Sequence, residues 1–251
     1  MSITDAFNTS EQIIDPAAVA RPIEGFPDTV LVTFSQKVLA AAAKRFKLTL
    51  LKEMQCCYTV PVYAFEYKGR RLGIYMTGLG GSAAAGLLEE IFAAGAKRAL
   101  FFGSCGVLDR SIAAGHFIVP TAAYRDEGTS YHYAPASDYI DIPTAAELSA
   151  AFDAISMPHV QGKTWTTDAI YRETRDGLAK RRAEGCITVE MECASLRAVG
   201  QFRKKAVYQF LYAEDCLDSV EWDPRIMGKQ PATAYEGYLD VALECAIRVK
   251  G

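Results

Sequence analysis

The chain has 251 residues and half of them are apolar, so it can bury one large core but is too short for several domains. Its 27 basic and 30 acidic side chains give a net charge of −3 and are scattered, which disfavours nucleic acid and anionic membranes as partners. The seven cysteines show no CxxC spacing, and the sequence shows no secretory or membrane-spanning pattern. We therefore expect a cytoplasmic protein with reduced thiols.

The first half of the chain alternates strand and helix patterns after an irregular amino-terminal segment, residues 1–28. The apolar run TVLVTF predicts a buried strand, and alanine-rich helical spacing follows it. The predicted elements are a strand at 29–34, a helix at 36–46, a hairpin at 63–78, a helix after the glycine turn GLGGS, and a strand at 98–106. A crossover of about twenty residues between strands favours parallel pairing, and therefore an α/β sheet.

The second half continues the same alternation up to the carboxyl end. A polar, aromatic loop separates its first strand from the helix that follows. The predicted elements are a strand at 116–124, a helix at 144–154, a strand and turn at 163–173, a surface helix at 174–185, a strand and helix at 187–202, a strand at 206–216 and an amphipathic helix at 233–250. We find no repeat or linker, and we expect one domain over residues 1–251.

Small and acidic residues follow four of the predicted strands, where open α/β sheets bind their ligands. The glycine turn at 78–82 could present backbone N–H groups to an anion or serve as a tight turn. A dinucleotide site would need an acid after the next strand, and ALFFG has none. In FFGSCG, Ser104 and the N–H groups around Gly106 could also receive an anion.

Acidic residues end the other two strands. In VEMECASL, a strand that continued to Glu192 would put Glu190 and Glu192 on one face, where a carboxylate can bind two adjacent sugar hydroxyls. Met191 between them offers an apolar surface. Asp215 ends the apolar run VYQFLYAE, so burial could raise its pKa as a general acid requires. Solvated glutamates and a helix cap remain the structural alternatives.

Metal binding is not expected. The histidines His116, His132 and His159 are far apart in the sequence, and none has a partner at helical spacing. His132 in SYHYAP could contact a ligand or serve as a hydrogen-bonded structural residue.

Five segments in one order resemble the nucleoside phosphorylase family, most closely its uridine phosphorylase branch. They are EYKGRRLGIYMTGLGGSAAAGLLEEI, FFGSCGVL, DEGTSYHYAP, TTDAIYRET and VEMECASL, and the match runs from about residue 63 to 216. The family also includes purine nucleoside phosphorylases and methylthioadenosine nucleosidases. The resemblance implies a single-domain α/β fold with a central twisted mixed sheet flanked by helices, and a homo-oligomer that is a dimer, trimer or hexamer.

The family's roles transfer residue by residue. The resemblance implies that Glu192 holds the sugar hydroxyls, that Met191 packs beneath the sugar and that Glu190 supports the strand end. Asp215 corresponds to an aspartate with which purine-acting members protonate the leaving base. The base-binding segment after TTD offers Tyr171 and Arg172, and the family places the segment of His132 near the active site.

The sequence departs from the family where phosphate should bind. Family phosphorylases hold phosphate with a GDPxR segment and further arginines, whereas this chain has TFSQK, with Ser35 and Lys37, after its first strand and Phe101 and Tyr58 in place of two arginines. Ser104 and the glycines of GSCG remain as possible anion donors. Arg125, Arg172, Arg175 or Lys37 could replace the missing cations.

Three functions follow from this comparison. The leading hypothesis is a phosphorylase that cleaves the N-glycosidic bond of a purine or pyrimidine nucleoside, with phosphate as co-substrate and no other cofactor. The second is a nucleosidase that uses water. The third is a nucleoside-binding protein without catalysis.

Overall fold

A computed structural model describes residues 2–55 and 57–250. Across these residues, ten strands form one mixed sheet with helices on its faces, which confirms the predicted fold class. The strands are β1 Thr29–Thr33, β2 Thr49–Gln55, β3 Thr59–Tyr67, β4 Arg70–Met76, β5 Arg98–Val107, β6 Phe117–Asp126, β7 Tyr139–Asp141, β8 His159–Thr167, β9 Cys186–Glu190 and β10 Ala206–Cys216.

The helices lie near the positions that the apolar spacing predicts. They are α1 Pro16–Val19, α2 Gln36–Arg45, α3 Gly81–Ala94, α4 Ser130–Tyr133, α5 Thr144–Ala154, α6 Arg175–Ala183, α7 Cys193–Arg203 and α8 Ala232–Ala246. Two 3-10 turns, Ile3–Asp5 and Ile170–Arg172, complete the described elements. The segment 1–28 is therefore less irregular than expected, since Asp15 caps α1 through the N–H of Ala17.

The sheet order is β10-β6-β8-β9-β5-β1-β4-β3-β2, with β7 paired to β6. β10 also pairs with β5, so β5, β10, β6, β8 and β9 form a closed ring. β1 is parallel to both β4 and β5, as the strand and helix alternation predicts. The carboxyl end of β5 and the segments that follow β4, β8, β9 and β10 converge on one cavity, which is described below.

Two apolar clusters cover the two faces of this sheet. One contains Leu31, Leu100 and Phe210 and packs against α2, α5 and α8, and the other contains Val30, Phe101 and Leu196 and packs against α3 and α7. Burial on both faces explains why the central strands are continuous apolar runs without alternation. No helix among the described residues has the length and apolar character needed to cross a bilayer.

Candidate active site

Glu190 ends β9 and ties the strand to α7. Its carboxylate accepts the N–H groups of Glu192 at 2.7 Å and Cys193 at 2.6 Å, and the Thr166 hydroxyl at 2.5 Å. The strand stops at Glu190, so the expectation that Glu190 and Glu192 share one strand face is wrong. The backbone turns there because the carboxylate of Glu190 satisfies N–H groups that have no partner within the helix. Glu190 therefore supports the turn from within.

Glu192 is the N-cap residue of α7, and its side chain points to the glycine turn. The N–H of Gly80 donates to Glu192 Oε1 at 2.6 Å, and Gly80 has a φ of +91°, which favours glycine. The anion at the glycine turn is thus a carboxylate of the chain itself. Burial, reinforced by the charge of Glu190, raises the pKa of Glu192 to about 8.

Asp215 lies near the end of β10, just after a register shift against β5. The Trp222 indole donates to Asp215 Oδ2 at 2.6 Å. Burial raises the pKa of Asp215, and the hydrogen bond from Trp222 partly opposes that shift. A buried carboxyl group with a raised pKa can carry the proton that a leaving group needs.

These side chains surround one cavity of about 570 Å³. Of the predicted site residues, seven line it: Ser104, Gly106, Tyr171, Glu190, Met191, Glu192 and Asp215. Arg172 and His132 are exposed and lie outside its lining. The cavity has the size of a small-molecule site.

Several further lining residues were not expected as site residues from the sequence, among them Leu79, Glu173 and Trp222. Glu173 stands directly after Arg172 in the TTDAIYRET segment, so its position beside the predicted base-binding residues was a signal. Trp222 belongs to the loop after β10, where no periodicity predicts which side chain turns inward.

A smaller cavity of about 50 Å³ adjoins the first at Ser104, Leu79, Glu190 and Glu192. Its wall carries Phe34 and Phe101, whose ring centroids are 6.4 Å apart. A Cβ atom at Gly103 would lie 2.7 Å from the Phe34 ring, so this glycine makes room for the phenyl group. Among the described residues that line this cavity, none is a lysine, arginine or histidine.

None of the basic residues that might have replaced the missing arginines lines the small cavity, although Arg175 lines the larger one and the charge of Lys37 partly opposes the rise that burial causes in the pKa of Glu214. Arg125 is buried and donates to Ser130 and to the Pro135 carbonyl, at 2.8 and 2.6 Å. Arg175 donates to the carbonyls of Ser219 and Val220. The ammonium group of Lys37 lies 4.8 Å from the centre of the Tyr235 ring. Within residues 2–55 and 57–250, no group of three His, Cys, Asp or Glu side chains is arranged to hold a metal ion.

Comparison with known proteins identifies the class to which this fold and cavity belong. The family model described as the phosphorylase superfamily matches residues 28–230. The chain therefore belongs to the phosphorylase superfamily, which includes nucleoside phosphorylases and nucleosidases, as the sequence motifs indicate.

Individual relatives are distant but match along most of their length. A DeoD-type purine nucleoside phosphorylase from Bacillus cytotoxicus is 24% identical over 213 residues, which cover 82% of this chain and 89% of that protein. The uridine phosphorylase structure from Vibrio fischeri superposes with a TM-score of 0.77 at 23% identity, over 91% of this chain and 95% of that one. The AMP nucleosidase structure from Bacteroides thetaiotaomicron gives 0.69 at 21% identity, over 88% and 87% of the two chains. At these identities the structural matches show the fold alone.

Proposed function

We propose that the chain is a nucleosidase, which cleaves the N-glycosidic bond of a nucleoside and transfers the sugar to water. The observation that carries this proposal is the small cavity beside Ser104, because the resemblance implies phosphate there and phenyl rings line it instead. A phosphate dianion bound in a protein normally requires charge-assisted donors. The described lining supplies none and includes the carboxylates Glu190 and Glu192.

Glu214 adds a third acidic group near this position. Its carboxyl group is buried, accepts the Gln230 amide and is hydrogen-bonded by the Ser104 side chain. A Ser104 hydroxyl that donates to Glu214 has no proton left to donate to phosphate, since a hydroxyl has only one. A nearby carboxylate also repels a dianion, whereas a neutral water molecule meets no such barrier.

The larger cavity supports cleavage of the glycosidic bond. Glu192 can accept hydrogen bonds from two adjacent sugar hydroxyls and stabilise the positive charge that develops on the sugar. Asp215 lines the cavity where it could protonate the base as it leaves, and burial raises its pKa in the direction that a general acid requires. Water then adds to the sugar carbon and loses one proton to solvent.

Release of free base from a panel of purine and pyrimidine nucleosides, with and without added phosphate, tests the proposal. We expect release in phosphate-free buffer at a rate that phosphate does not raise, with the free sugar as second product. Glu192→Ala and Asp215→Asn should each lower kcat/KM by about 100-fold or more. Glu221→Gln, a control at an exposed acid of the loop that carries Trp222, should retain the wild-type rate.

Other outcomes identify the remaining functions. A rate that requires phosphate and yields a sugar 1-phosphate would establish a phosphorylase and contradict hydrolysis. Binding of nucleosides without release of base from any of them would identify a binding protein.

A further inference from the structure

The cavity contains a second carboxyl group near Asp215, that of Glu173. Glu173 follows the turn Ile170–Arg172 and lines the cavity together with Asp215, Leu178 and Leu217. Within the described parts of the chain, its carboxyl group makes no hydrogen bond and no ion pair. Because Glu173 is half-buried in the cavity wall and its carboxyl group has no partner among the described residues, that group is available to a ligand in the cavity.

The two carboxyl groups differ in the hydrogen bonds that they receive from the protein. Trp222 donates to Asp215 Oδ2, and no other side chain among the described residues donates to Oδ1. Oδ1 lies 3.1 Å from the point where a Cβ atom at Gly106 would stand, so it borders the glycine that lines the cavity. Glu173 has both oxygens free, and burial, together with the charge of Asp215, raises its pKa to about 7. Because both carboxyl groups line one cavity and like charges oppose each other's ionisation, the pair favours keeping one proton over losing both.

A pair that holds one proton has one hydrogen-bond donor and one acceptor for a ligand. The corresponding edge of a 6-aminopurine presents N7 as an acceptor and the exocyclic amino group as a donor. The same edge of a 6-oxopurine presents two acceptors, N7 and O6. The 6-aminopurine is therefore complementary to the pair, whereas the 6-oxopurine would set O6 against a carboxylate.

We propose that Glu173 determines specificity by accepting a hydrogen bond from the exocyclic amino group of a 6-aminopurine, while Asp215 donates its proton to N7. This inference rests on the proposed cleavage of nucleosides and names their class. The preferred substrates are then nucleosides of the adenosine type. Discrimination comes from the repulsive contact with O6 as well as from the attractive contact with the amino group.

Three nucleosides separate these contacts: adenosine, inosine and purine riboside, which has no substituent at C6. We expect the wild-type protein to cleave adenosine with a kcat/KM at least about tenfold above that for inosine. Glu173→Gln should lower this ratio by about tenfold or more, because the amide can turn its NH₂ group towards O6. Cleavage of purine riboside, which lacks both groups, should change by less than about threefold. The matched control Glu221→Gln should leave all three rates unchanged.

Failure of the inference can be distinguished from failure of the proposed function. A wild-type protein that prefers inosine, or an unchanged ratio in Glu173→Gln, overturns the role of Glu173 while cleavage itself stands. If no nucleoside is cleaved, the proposed function fails. Calorimetric titration of adenosine and inosine into both proteins then tests Glu173 alone, and equal affinities in the wild type would overturn the inference. Thermal unfolding of Glu173→Gln checks that the variant is folded.

Discussion

At the scale of single residues, Glu192 is held in its position at a cost to stability. The side chain is only 7% exposed, and burial raises its pKa from an ordinary 4.5 to about 8. The folded protein therefore binds this proton more tightly than the unfolded chain does. Stability conferred by the protonated form is complete below pH 4.5 and is lost as pH rises through 8.

Glu192→Gln should remove this loss, because the amide stays neutral and its oxygen can still accept the N–H of Gly80. We expect the variant to gain stability over the wild type as pH rises, reaching about 2–4 kcal/mol above pH 8. Urea denaturation at pH 4.5, 6 and 8.5 measures the difference. A difference that is the same at all three pH values would contradict the raised pKa. Above pH 8 the same variant should cleave nucleosides poorly, since it lacks the charge with which ionised Glu192 stabilises the sugar cation.

The contrast between Glu190 and Glu192 shows what the sequence could predict about the site. The apolar run before VEME and the acids within it indicate a strand end with ligand-binding carboxylates. The different contacts of the two acids depend on where the strand stops. At that point Glu190 accepts the hydroxyl of Thr166 on β8, a strand that is distant in sequence, and no local pattern predicts this contact. Glu173 and Trp222 were missed for a related reason: both lie in loops, and the loop conformation determines which side chains face the cavity.

At the scale of elements, α3 and α7 approach each other at Gly81. A Cβ atom at this position would lie 2.2 Å from Ser195 Oγ, which itself donates to Glu127 at 2.5 Å. The hydroxyl cannot move without breaking that buried hydrogen bond. This close approach brings the glycine turn at the start of α3 against Glu192 at the start of α7.

Gly81→Ala should therefore destabilise the protein by about 1–3 kcal/mol, as over-packing does. Gly86 is the matched control, because it is exposed in the middle of the same helix and a Cβ atom there would meet nothing within 4 Å. Gly86→Ala should stabilise the protein by up to about 1 kcal/mol through helix propensity alone. Midpoints of urea denaturation measure both. Equal effects of the two substitutions would show that the helices do not touch at Gly81.

Element positions follow from periodicity more readily than pairing does. Helices α2 and α5 and strands β1, β5 and β10 begin and end within a few residues of the predicted bounds, because each has a clear apolar pattern. Strand β2 and the three-residue β7 were not predicted. β2 is mostly exposed and has no regular alternation of apolar residues, and three residues are too few to form a pattern.

At the scale of the whole molecule, the closed ring of strands has the largest effect on function. β10 pairs with β5 on one side and β6 on the other, and this closure brings Asp215 alongside Gly106. The alternation of strands and helices in the sequence predicts parallel pairing but not closure of the ring, because closure depends on pairing between strands that are distant in sequence. The cavity is consequently a product of the ring, although each of its motifs is visible in the sequence.

The mouth of this cavity has an apolar rim that a monomer would leave in water. Tyr171 is 95% exposed, Leu79 70% and Trp222 60%, and Val220, in the same loop as Trp222, is 84% exposed. Contiguous exposed apolar groups mark protein interfaces.

We therefore expect a homo-oligomer in which a second copy covers this rim. Multi-angle light scattering at micromolar concentration should give a mass at least twice that of the monomer. Val220→Glu should shift the mass towards the monomer by placing a charge in the interface, whereas Ile13→Glu, at a fully exposed site of the amino-terminal segment, should not. A monomeric wild-type protein, or a Val220→Glu variant with an unchanged mass, would show that the rim serves the substrate alone.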